Sequence, residues 1–357
     1  MSLRVTVVGG GFAAAEALLA LRARGGEELA LELLAPFREL PFRPAATASD
    51  GPVPVFDLGE LCEDVGARLR VESVQAVAPA VRRLRLGSGG TAAYDALVLA
   101  VGARARVAVP GATTFRRLPA SWDGVRRLAV AVPAGVTWSL PAYEVALAAA
   151  DAGVEATVVT PERAPLEVFG EEGVAAVREV LHEHGVRVLR SARPALAERG
   201  ALRLADGDRV PADEVIALPA LAGHRLPGVP AGFGGFVPTD AHGRVEDVPG
   251  VWAAGDVTGF PVKQGGIAAQ QADRAARAIA RLARDGALPP LEPLVLRARL
   301  HAAGEPLFLR TELTEHGDPV PGTGEASGEP LWWPPAKLAA SHLTPWLAAH
   351  APAAAHA

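Results

Sequence analysis

An internal repeat is the feature that most restricts how this chain can fold. The first copy begins with "RVTVVGGGFAAAEALLALRARG" and ends with "YDALVLAVGA", and the second begins with "RLAVAVPAGVTWSLPAYEVALAAADAG" and ends with "EVIALPA". Each copy predicts a strand, a tight loop, an Ala-rich helix, a second strand, a short hairpin region and a buried strand. Because strands that alternate with helices form parallel sheets, the sequence predicts an α/β fold with two doubly wound domains.

The first of these domains is predicted to be discontinuous. Residues 1–108 form its first part and residues 237–290 its second part, while the second copy occupies residues 109–236. Residues 291–357 form a small C-terminal interface region, with strands followed by the tail "LWWPPAKLAASHLTPWLAAH". This tail is predicted to be helical, with an interruption at Pro345.

Composition excludes several classes of function. The net charge is −5, and arginines alternate with acids, so nucleic acid is not a predicted partner. The one cysteine, Cys62, lies on an apolar helical face and is predicted to be a core residue, which leaves no disulfide and no redox pair. The histidine spacing predicts no metal site. A strand begins at the third residue and leaves no room for a signal peptide, which predicts a cytoplasmic protein.

A glycine loop follows the first strand. Gly9, Gly11 and Ala14 occupy the small positions of a G-x-G-x-x-[GA] pattern between a strand and a helix. Gly9 is expected to make the turn, Gly11 to let a pyrophosphate approach the backbone, and Ala14 to pack the helix on the strand. The main-chain N–H groups at the helix start, those of Phe12 and Ala13, are then free to bind the anion.

Four segments resemble the ordered motifs of flavoproteins with two dinucleotide-binding domains: "VVGGGFAAAEALLAL", "FRP", "YDALVLAVGA" and "VWAAGDVTGFPVKQGG". That group includes type II NADH:quinone oxidoreductases, sulfide:quinone oxidoreductases and pyridine nucleotide-disulfide reductases. The resemblance covers residues 1–290 and implies two Rossmann-like domains, the first of which binds FAD. It implies that Asp256 bonds the ribityl hydroxyls, and it places further cofactor contacts at Arg43, Pro44, Val74, Ala100, Val101, Gly102, Gly255 and Gly265.

Lys263 is one of only two lysines in the chain. It precedes Gly265 and Gly266, which are expected to bring a helix start close to the flavin. A reduced flavin carries negative charge, which a helix dipole stabilises by about 0.3–1 kcal/mol and a nearby ammonium stabilises further. Lys263 is therefore a candidate catalytic residue, and Gln264 is expected to bond the ring edge. The alternative is a solvated surface lysine.

The loop in the second copy argues against an ordinary NAD(P)H site. In "PAGVTWSLP" only Gly135 remains, while Pro133, Trp138 and Pro141 are large or rigid. We therefore expect NAD(P)H to bind poorly or in an altered pose. Glu162 is the residue placed to accept a bond from a ribose hydroxyl.

Glu144, on the helix of the second copy, is the second candidate catalytic residue. Either it faces the flavin, or it has a role on the helix surface or in the N-terminal turn. The leading hypothesis is an FAD-dependent oxidoreductase that passes electrons from a small reductant to a quinone or similar acceptor. The alternatives are an NAD(P)H:quinone reductase with an atypical nucleotide loop, and an FAD-carrying binding or signalling protein whose second site Trp138 closes.

Aromatic residues cluster near the C-terminus. Trp332, Trp333, Lys337, Leu338 and Trp346 suit a peripheral membrane or quinone-entry surface, where tryptophans and a lysine gather at the boundary. Packing against the flavin domain or against a second subunit of a homodimer is the favoured interpretation, since the stretch is short and contains proline.

Overall fold

A computed structural model describes residues 2–48, 51–284, 286–288, 290–301 and 304–351. Its first elements are β1 (Leu3–Val8), α1 (Phe12–Gly25), β2 (Leu29–Ala35), β3 (Glu39–Pro41), β4 (Val55–Asp57), α2 (Leu58–Asp64), β5 (Arg68–Val71), β6 (Val74–Ala78), β7 (Arg83–Leu86), β8 (Thr91–Ala93), β9 (Ala96–Leu99) and β10 (Ala103–Arg106). The repeat continues with β11 (Thr113–Thr114), β12 (Arg127–Ala131), α3 (Leu140–Asp151), β13 (Glu155–Val159), α4 (Gly170–Glu183), β14 (Arg187–Leu189), β15 (Pro194–Glu198), β16 (Ala201–Leu204), β17 (Arg209–Pro211), β18 (Glu214–Ala217) and β19 (Ala220–Gly223). The last elements are β20 (Val251–Ala253), α5 (Gly265–Leu282), β21 (Leu294–Leu300), β22 (Leu307–Leu313), β23 (Glu325–Ser327) and α6 (Leu343–Ala349).

Two parallel sheets have the same strand order. The first is β20-β9-β1-β2-β5 and the second is β11-β18-β12-β13-β14. In each sheet the first strand of its repeat copy lies between the second strand and the last strand of that copy. Each sheet is also accompanied by a three-stranded antiparallel meander, β6-β7-β8 or β15-β16-β17. The α/β prediction of two doubly wound domains is confirmed, while the residue numbers assigned to the domain boundaries stay a prediction.

Helices α1 and α5 pack against each other on one face of the first sheet. Alanines line both helices and are buried: Ala13, Ala14, Ala17 and Ala20 on α1, and Ala268, Ala272, Ala275 and Ala276 on α5. Small side chains let the two helix backbones approach closely. The ion pair between Arg24 and Asp273, with 2.7 Å between nitrogen and oxygen, joins the last turn of α1 to the middle of α5.

The C-terminal region differs from the prediction in its tail. Strands β21, β22 and β23 form an antiparallel sheet, as the spacing of apolar residues indicates. Only Leu343–Ala349 of the tail is helical, and Pro345 lies in its first turn. The prediction that Pro345 interrupts a longer helix is wrong, because a proline in the first turn removes only an N–H that has no partner within the helix.

Side chains from outside the sheet bind the free edge of β21. Gln270 donates to the Val295 carbonyl at 2.8 Å and accepts from the Val295 N–H at 2.8 Å. The Gln264 amide donates to the Arg297 carbonyl at 3.2 Å. The edge strand is thereby paired to α5 instead of being left open.

The tail is fixed to α1 by a buried carboxylate. Glu16 is fully buried and accepts main-chain N–H groups from His342 at 3.1 Å and Leu343 at 2.6 Å, so it binds the start of α6. Leu338 and Trp346 are buried in the core cluster that contains α1. Leu338 and Trp346 therefore pack against the first domain, as the favoured interpretation of the C-terminal aromatic cluster predicted.

Burial excludes Leu338 and Trp346 from the membrane-surface interpretation, while membrane contact by the exposed part of the aromatic cluster stays a prediction. Leu338 and Trp346 are in the core, and the Lys337 side chain is 12% exposed, whereas Trp333 is 86% exposed. Of the helices in the described residues, none combines the length and the hydrophobicity that a membrane span requires. Cys62, as predicted, is buried in the core with Leu61.

Glu16 predicts a specific pH dependence of stability. Burial raises the pKa of its carboxyl from 4.5 to about 7, so the folded chain binds this proton more tightly than the unfolded chain does. The contribution of Glu16 to the free energy of unfolding should therefore fall as pH rises from 4.5 to 7, by on the order of 3 kcal/mol. The free energy of unfolding of Glu16→Gln, measured relative to that of the wild type by urea unfolding at several pH values, should therefore rise by the same amount between pH 4.5 and 7. A difference that does not change with pH would contradict the assignment.

Candidate functional site

The glycine loop after β1 leaves an open space beside its backbone. Gly9 has a φ of +132°, and a Cβ there would collide with the carbonyl of Ala100, so only glycine fits. A Cβ at Gly11 or at Gly102 would meet no atom within 4 Å. Gly9 thus holds the turn against β9, while the other two glycines border space that a ligand can occupy.

The start of α1 faces this space with its N–H groups uncapped. Gly11 is the N-cap residue, no side chain of the described residues caps the helix, and its first turn contains no acid. Ala13 and Ala14 are buried. The first N–H groups of a helix lack partners within the helix, so this end can bind an anion such as a pyrophosphate.

The start of α5 lies beside the start of α1. A Cβ built on Gly265 would lie 3.0 Å from the Phe12 ring and 3.0 Å from Leu338, and one built on Gly255 would lie 3.0 Å from the Ala13 Cβ. Two helix N-termini, each with a partial positive charge, therefore converge on the glycine loop.

Lys263 lies just before α5 and is not a surface lysine. Its Nζ donates to the main-chain carbonyls of Thr258 at 2.5 Å and Asp256 at 3.2 Å, and it lies 4.0 Å from the centre of the Phe236 ring. The alternative of a solvated lysine is therefore wrong. The cation is held by carbonyl dipoles and an aromatic face.

Burial changes the acidity of both charged groups here. It lowers the pKa of the Lys263 ammonium from 10.5 to about 8, although the negative charge of Asp256 opposes that change. Burial raises the pKa of the Asp256 carboxyl, and Lys263 opposes it. A lysine that is mainly charged at pH 7 thus lies between the loop after β20 and the start of α5, and it can stabilise negative charge beside that loop.

The side chain of Gln264 is used within the protein. Its Oε1 accepts the N–H of Ile267 at 2.9 Å and caps α5, while its Nε2 donates to the Arg297 carbonyl. Its bond to a flavin ring edge stays a prediction, which would have to use the second N–H or the second lone pair of this amide.

The other predicted contacts lie around the same loop. Val74 and Val101 are partly buried against one core cluster that contains Val8 from the end of β1. Arg43 and Pro44 begin the short helical turn Arg43–Thr47, and the neighbouring Phe42 packs on Phe12 with 5.9 Å between ring centres. Their contact with a cofactor stays a prediction.

Glu144 belongs to a buried polar cluster that joins three parts of the chain. It is 2% exposed, and its carboxylate forms an ion pair with Lys337 at 2.7 Å. The Thr47 hydroxyl donates to Glu144 at 2.6 Å, and the His301 N–H donates at 3.1 Å. The helix-surface alternative for Glu144 is therefore wrong.

Burial shifts the pKa values in this cluster as well. It raises the pKa of the Glu144 carboxyl and lowers the pKa of the Lys337 ammonium, while the attraction between the two opposes both changes. Thr47 and His301 were not predicted as site residues, and Lys337 was predicted only as a boundary lysine. Its status as one of two lysines in the sequence is the only signal that singled it out.

The loop of the second copy is fixed by contacts within the protein. The Thr137 hydroxyl donates to the Pro261 carbonyl, and the Trp138 ring packs edge-on against Phe169 at 6.2 Å. Ser139 donates to Glu162 at 2.8 Å. These contacts hold the loop in place, and its Pro133 and Trp138 stand where an open glycine loop has small residues.

Glu162 is likewise satisfied by its neighbours. Besides Ser139, the hydroxyls of Tyr143 and Thr160 donate to it at 2.7 and 2.8 Å. Burial raises the pKa of its carboxyl. A ribose hydroxyl would have to compete with three protein hydroxyls for this group.

The two sheets, the open glycine loop and the paired helix starts define a flavoprotein with two dinucleotide-binding domains. A model of the pyridine nucleotide-disulphide oxidoreductase family matches residues 3–278, and the chain belongs to this family. The chain is therefore an FAD-dependent oxidoreductase of a family that uses FAD and NAD(P)H. The uncapped start of α1 and the open space at Gly11 and Gly102 fit the pyrophosphate of FAD.

Relatives and solved structures agree with this placement. The chain is 33% identical to the ferredoxin–NAD(+) reductase component of the biphenyl dioxygenase system of Paraburkholderia xenovorans, over 73% of this chain and 69% of the relative. It is 29% identical to an NADH dehydrogenase-like protein of Mycobacterium tuberculosis, over 71% and 72%. The sulfide:quinone oxidoreductase of Aquifex aeolicus has the same fold, with a TM-score of 0.80 at 17% identity over 91% of this chain and 87% of that one.

Replacing Lys263 with Met should lower the midpoint potential of the bound flavin. Loss of a positive charge near the ring destabilises the negative reduced form, by about 30 mV for each 1.4 kcal/mol lost in a two-electron couple. Because the pKa of Lys263 is about 8, the difference between variant and wild type should be largest below pH 8 and shrink above it. Lys263→Arg, which retains the charge, is the control for a spectroscopic redox titration. An unchanged potential at pH 7 in Lys263→Met would contradict the electrostatic role.

Proposed function

We propose that this FAD-dependent oxidoreductase passes electrons from a small reductant to a quinone or a similar acceptor beside the Glu144–Lys337 pair. The observation that carries the proposal is the position of this buried pair. Leu338, the neighbour of Lys337, contacts Gly265 at the start of α5. The pair is thus attached to the same helix start that closes the predicted flavin site.

Reduction of a quinone to a quinol consumes two protons with two electrons. Bound FAD supplies the electron-transfer chemistry. Burial lowers the pKa of the Lys337 ammonium, which makes this group a stronger proton donor than a solvated lysine, while the Glu144 carboxylate opposes the change. Lys337 would hold a proton at Nζ for one acceptor oxygen, and the second proton would come from solvent. Glu144 would hold this ammonium in place through Oε1, and Thr47 would orient both groups through its hydroxyl.

The electron donor is constrained by what the chain offers. Burial raises the pKa of the Cys62 thiol to about 11, and this residue is the only cysteine. Sulfide or disulfide chemistry that needs a cysteine nucleophile is therefore not supported. Two features support weak use of NAD(P)H: the second loop contains proline and tryptophan, and three protein hydroxyls already bind Glu162.

A second candidate function is an NAD(P)H:quinone reductase with an atypical nucleotide loop. Two observations favour it. The relatives above are named for NAD(+) and NADH, and Glu162 lies just after β13, where an acid can accept a bond from a ribose hydroxyl. Ser139 would then have to release Glu162 when the nucleotide binds.

Anaerobic stopped-flow measurements of the two half-reactions test the proposal. NADH should bleach the flavin with half-saturation no lower than the millimolar range. Protein reduced with dithionite should be reoxidised rapidly by 2-methyl-1,4-naphthoquinone. Glu144→Gln should slow this second step by about 100-fold, because it removes the carboxylate that holds the proton-donating ammonium of Lys337 in place.

Glu162→Gln is the matched control, since it replaces a half-buried carboxylate on the second domain that does not contact Lys337. It should leave the quinone step unchanged. Bleaching by NADH at micromolar half-saturation would establish the second candidate. An unchanged quinone rate in Glu144→Gln would contradict the role of the pair.

A further inference from the structure

The C-terminal sheet brings an unbalanced positive charge to the Glu144–Lys337 pair. Arg299 on β21 lies two residues before His301, whose main-chain N–H binds Glu144. The charge of Arg299 acts on Lys337 and His301, since it lowers the pKa of both groups. Arg299 is therefore in the same electrostatic environment as the pair.

Arg299 has no partner for its charge within the described residues. It forms no ion pair there, and its buried Nε has no hydrogen-bond acceptor. The guanidinium carbon lies 5.8 Å from the centre of the Phe308 ring. An arginine that contacts an aromatic ring but forms no hydrogen bond with an anion retains N–H donors for a ligand.

The main chain of Arg299 is also free on the edge of β21. Along that edge, Val295 is bound by Gln270, Arg297 by Gln264 and His301 by Glu144. Alternate residues of a strand direct their N–H and C=O groups to the same edge. The groups of Arg299 therefore point to this edge as well, between the start of α5 and Glu144, and no described residue binds them there.

The charges of the cluster do not cancel. Lys337 and Arg299 are positive and Glu144 is negative, while burial and the two cations lower the pKa of His301 to about 4 and keep its ring neutral at pH 7. One positive charge remains in a half-buried place. Such a charge is stabilised by an anion that can accept charge-assisted hydrogen bonds.

We propose that Arg299 and Lys337 form an oxyanion-binding site for the electron acceptor. The preferred acceptors then carry an ionised oxygen, as hydroxyquinones and carboxylated quinones do, rather than being neutral quinones. This inference rests on the proposed function and specifies the class of its acceptor. Lys337 supplies a point charge at one side of the oxygen, and Arg299 supplies directed N–H donors at the other.

The test compares two ligands with the FAD-loaded protein by isothermal titration calorimetry at pH 7.5. The wild type should bind 2-hydroxy-1,4-naphthoquinone, which is ionised at this pH, at least tenfold more tightly than neutral 2-methyl-1,4-naphthoquinone. Arg299→Gln should weaken binding of the ionised ligand about tenfold and leave binding of the neutral ligand nearly unchanged. Arg299→Lys, which retains the charge, should stay within about threefold of the wild type.

Arg297→Gln is the matched control, because Arg297 lies on the same strand face and also has a buried Nε without a partner. It should bind both ligands as the wild type does. Equal binding of the ionised ligand by wild type and Arg299→Gln would overturn the proposal, as would an equal loss in Arg297→Gln. If Arg299→Gln does not fold, as judged by circular dichroism, Arg299→Met takes its place, with the same tenfold loss expected for the ionised ligand alone.

The two proposals can fail separately. Selective binding of the ionised ligand, with no oxidation of dithionite-reduced protein by either quinone, would retain the anion site and reject the proposed function. Rapid oxidation by both quinones without any preference would retain the function and reject the anion site.

Discussion

The close packing of α1 on α5 is the constraint on which the rest of the structure depends. Alanines on both helices let their backbones approach, and glycines at 9, 11, 255 and 265 let both helices begin at one point beside the ends of β1, β9 and β20. Two helix dipoles then direct their positive ends into the same space. Lys263, which burial leaves with a lowered pKa, adds a third positive contribution there.

The C-terminal tail connects this arrangement to the proposed acceptor site. Glu16 on α1 holds the start of α6, and Leu338 packs against Gly265. Lys337 then reaches Glu144 on the second domain. The C-terminal tail therefore contacts α1, the start of α5 and Glu144. These contacts fix the position of the proposed acceptor site relative to the predicted flavin site.

Local patterns in the sequence were sufficient to predict the fold. The repeated alternation of strand and helix predicted both parallel sheets. The position of Gly9 before an Ala-rich helix predicted the tight turn, in which the Ala100 carbonyl leaves no room for a Cβ. The pairing of Glu144 with Lys337 was not predictable, because 193 residues separate them and neither belongs to a periodic pattern. The bond of Gln264 to β21 was not predictable for a similar reason: the sequence shows an amide before a helix but does not show the strand edge that its Nε2 binds.

The central claim is that FAD occupies the open space beside Gly11, and the FAD content of the purified Gly11→Val variant tests it most directly. Gly11 has φ −101° and ψ −172°, which valine can adopt, and an added Cβ meets no protein atom within 4 Å. The variant should therefore fold like the wild type and yet retain less than about a tenth of the FAD, because the side chain obstructs the pyrophosphate. Wild-type protein should carry one FAD per chain. A folded Gly11→Val variant with full FAD content, or a colourless wild type that takes up no added FAD, would contradict the account.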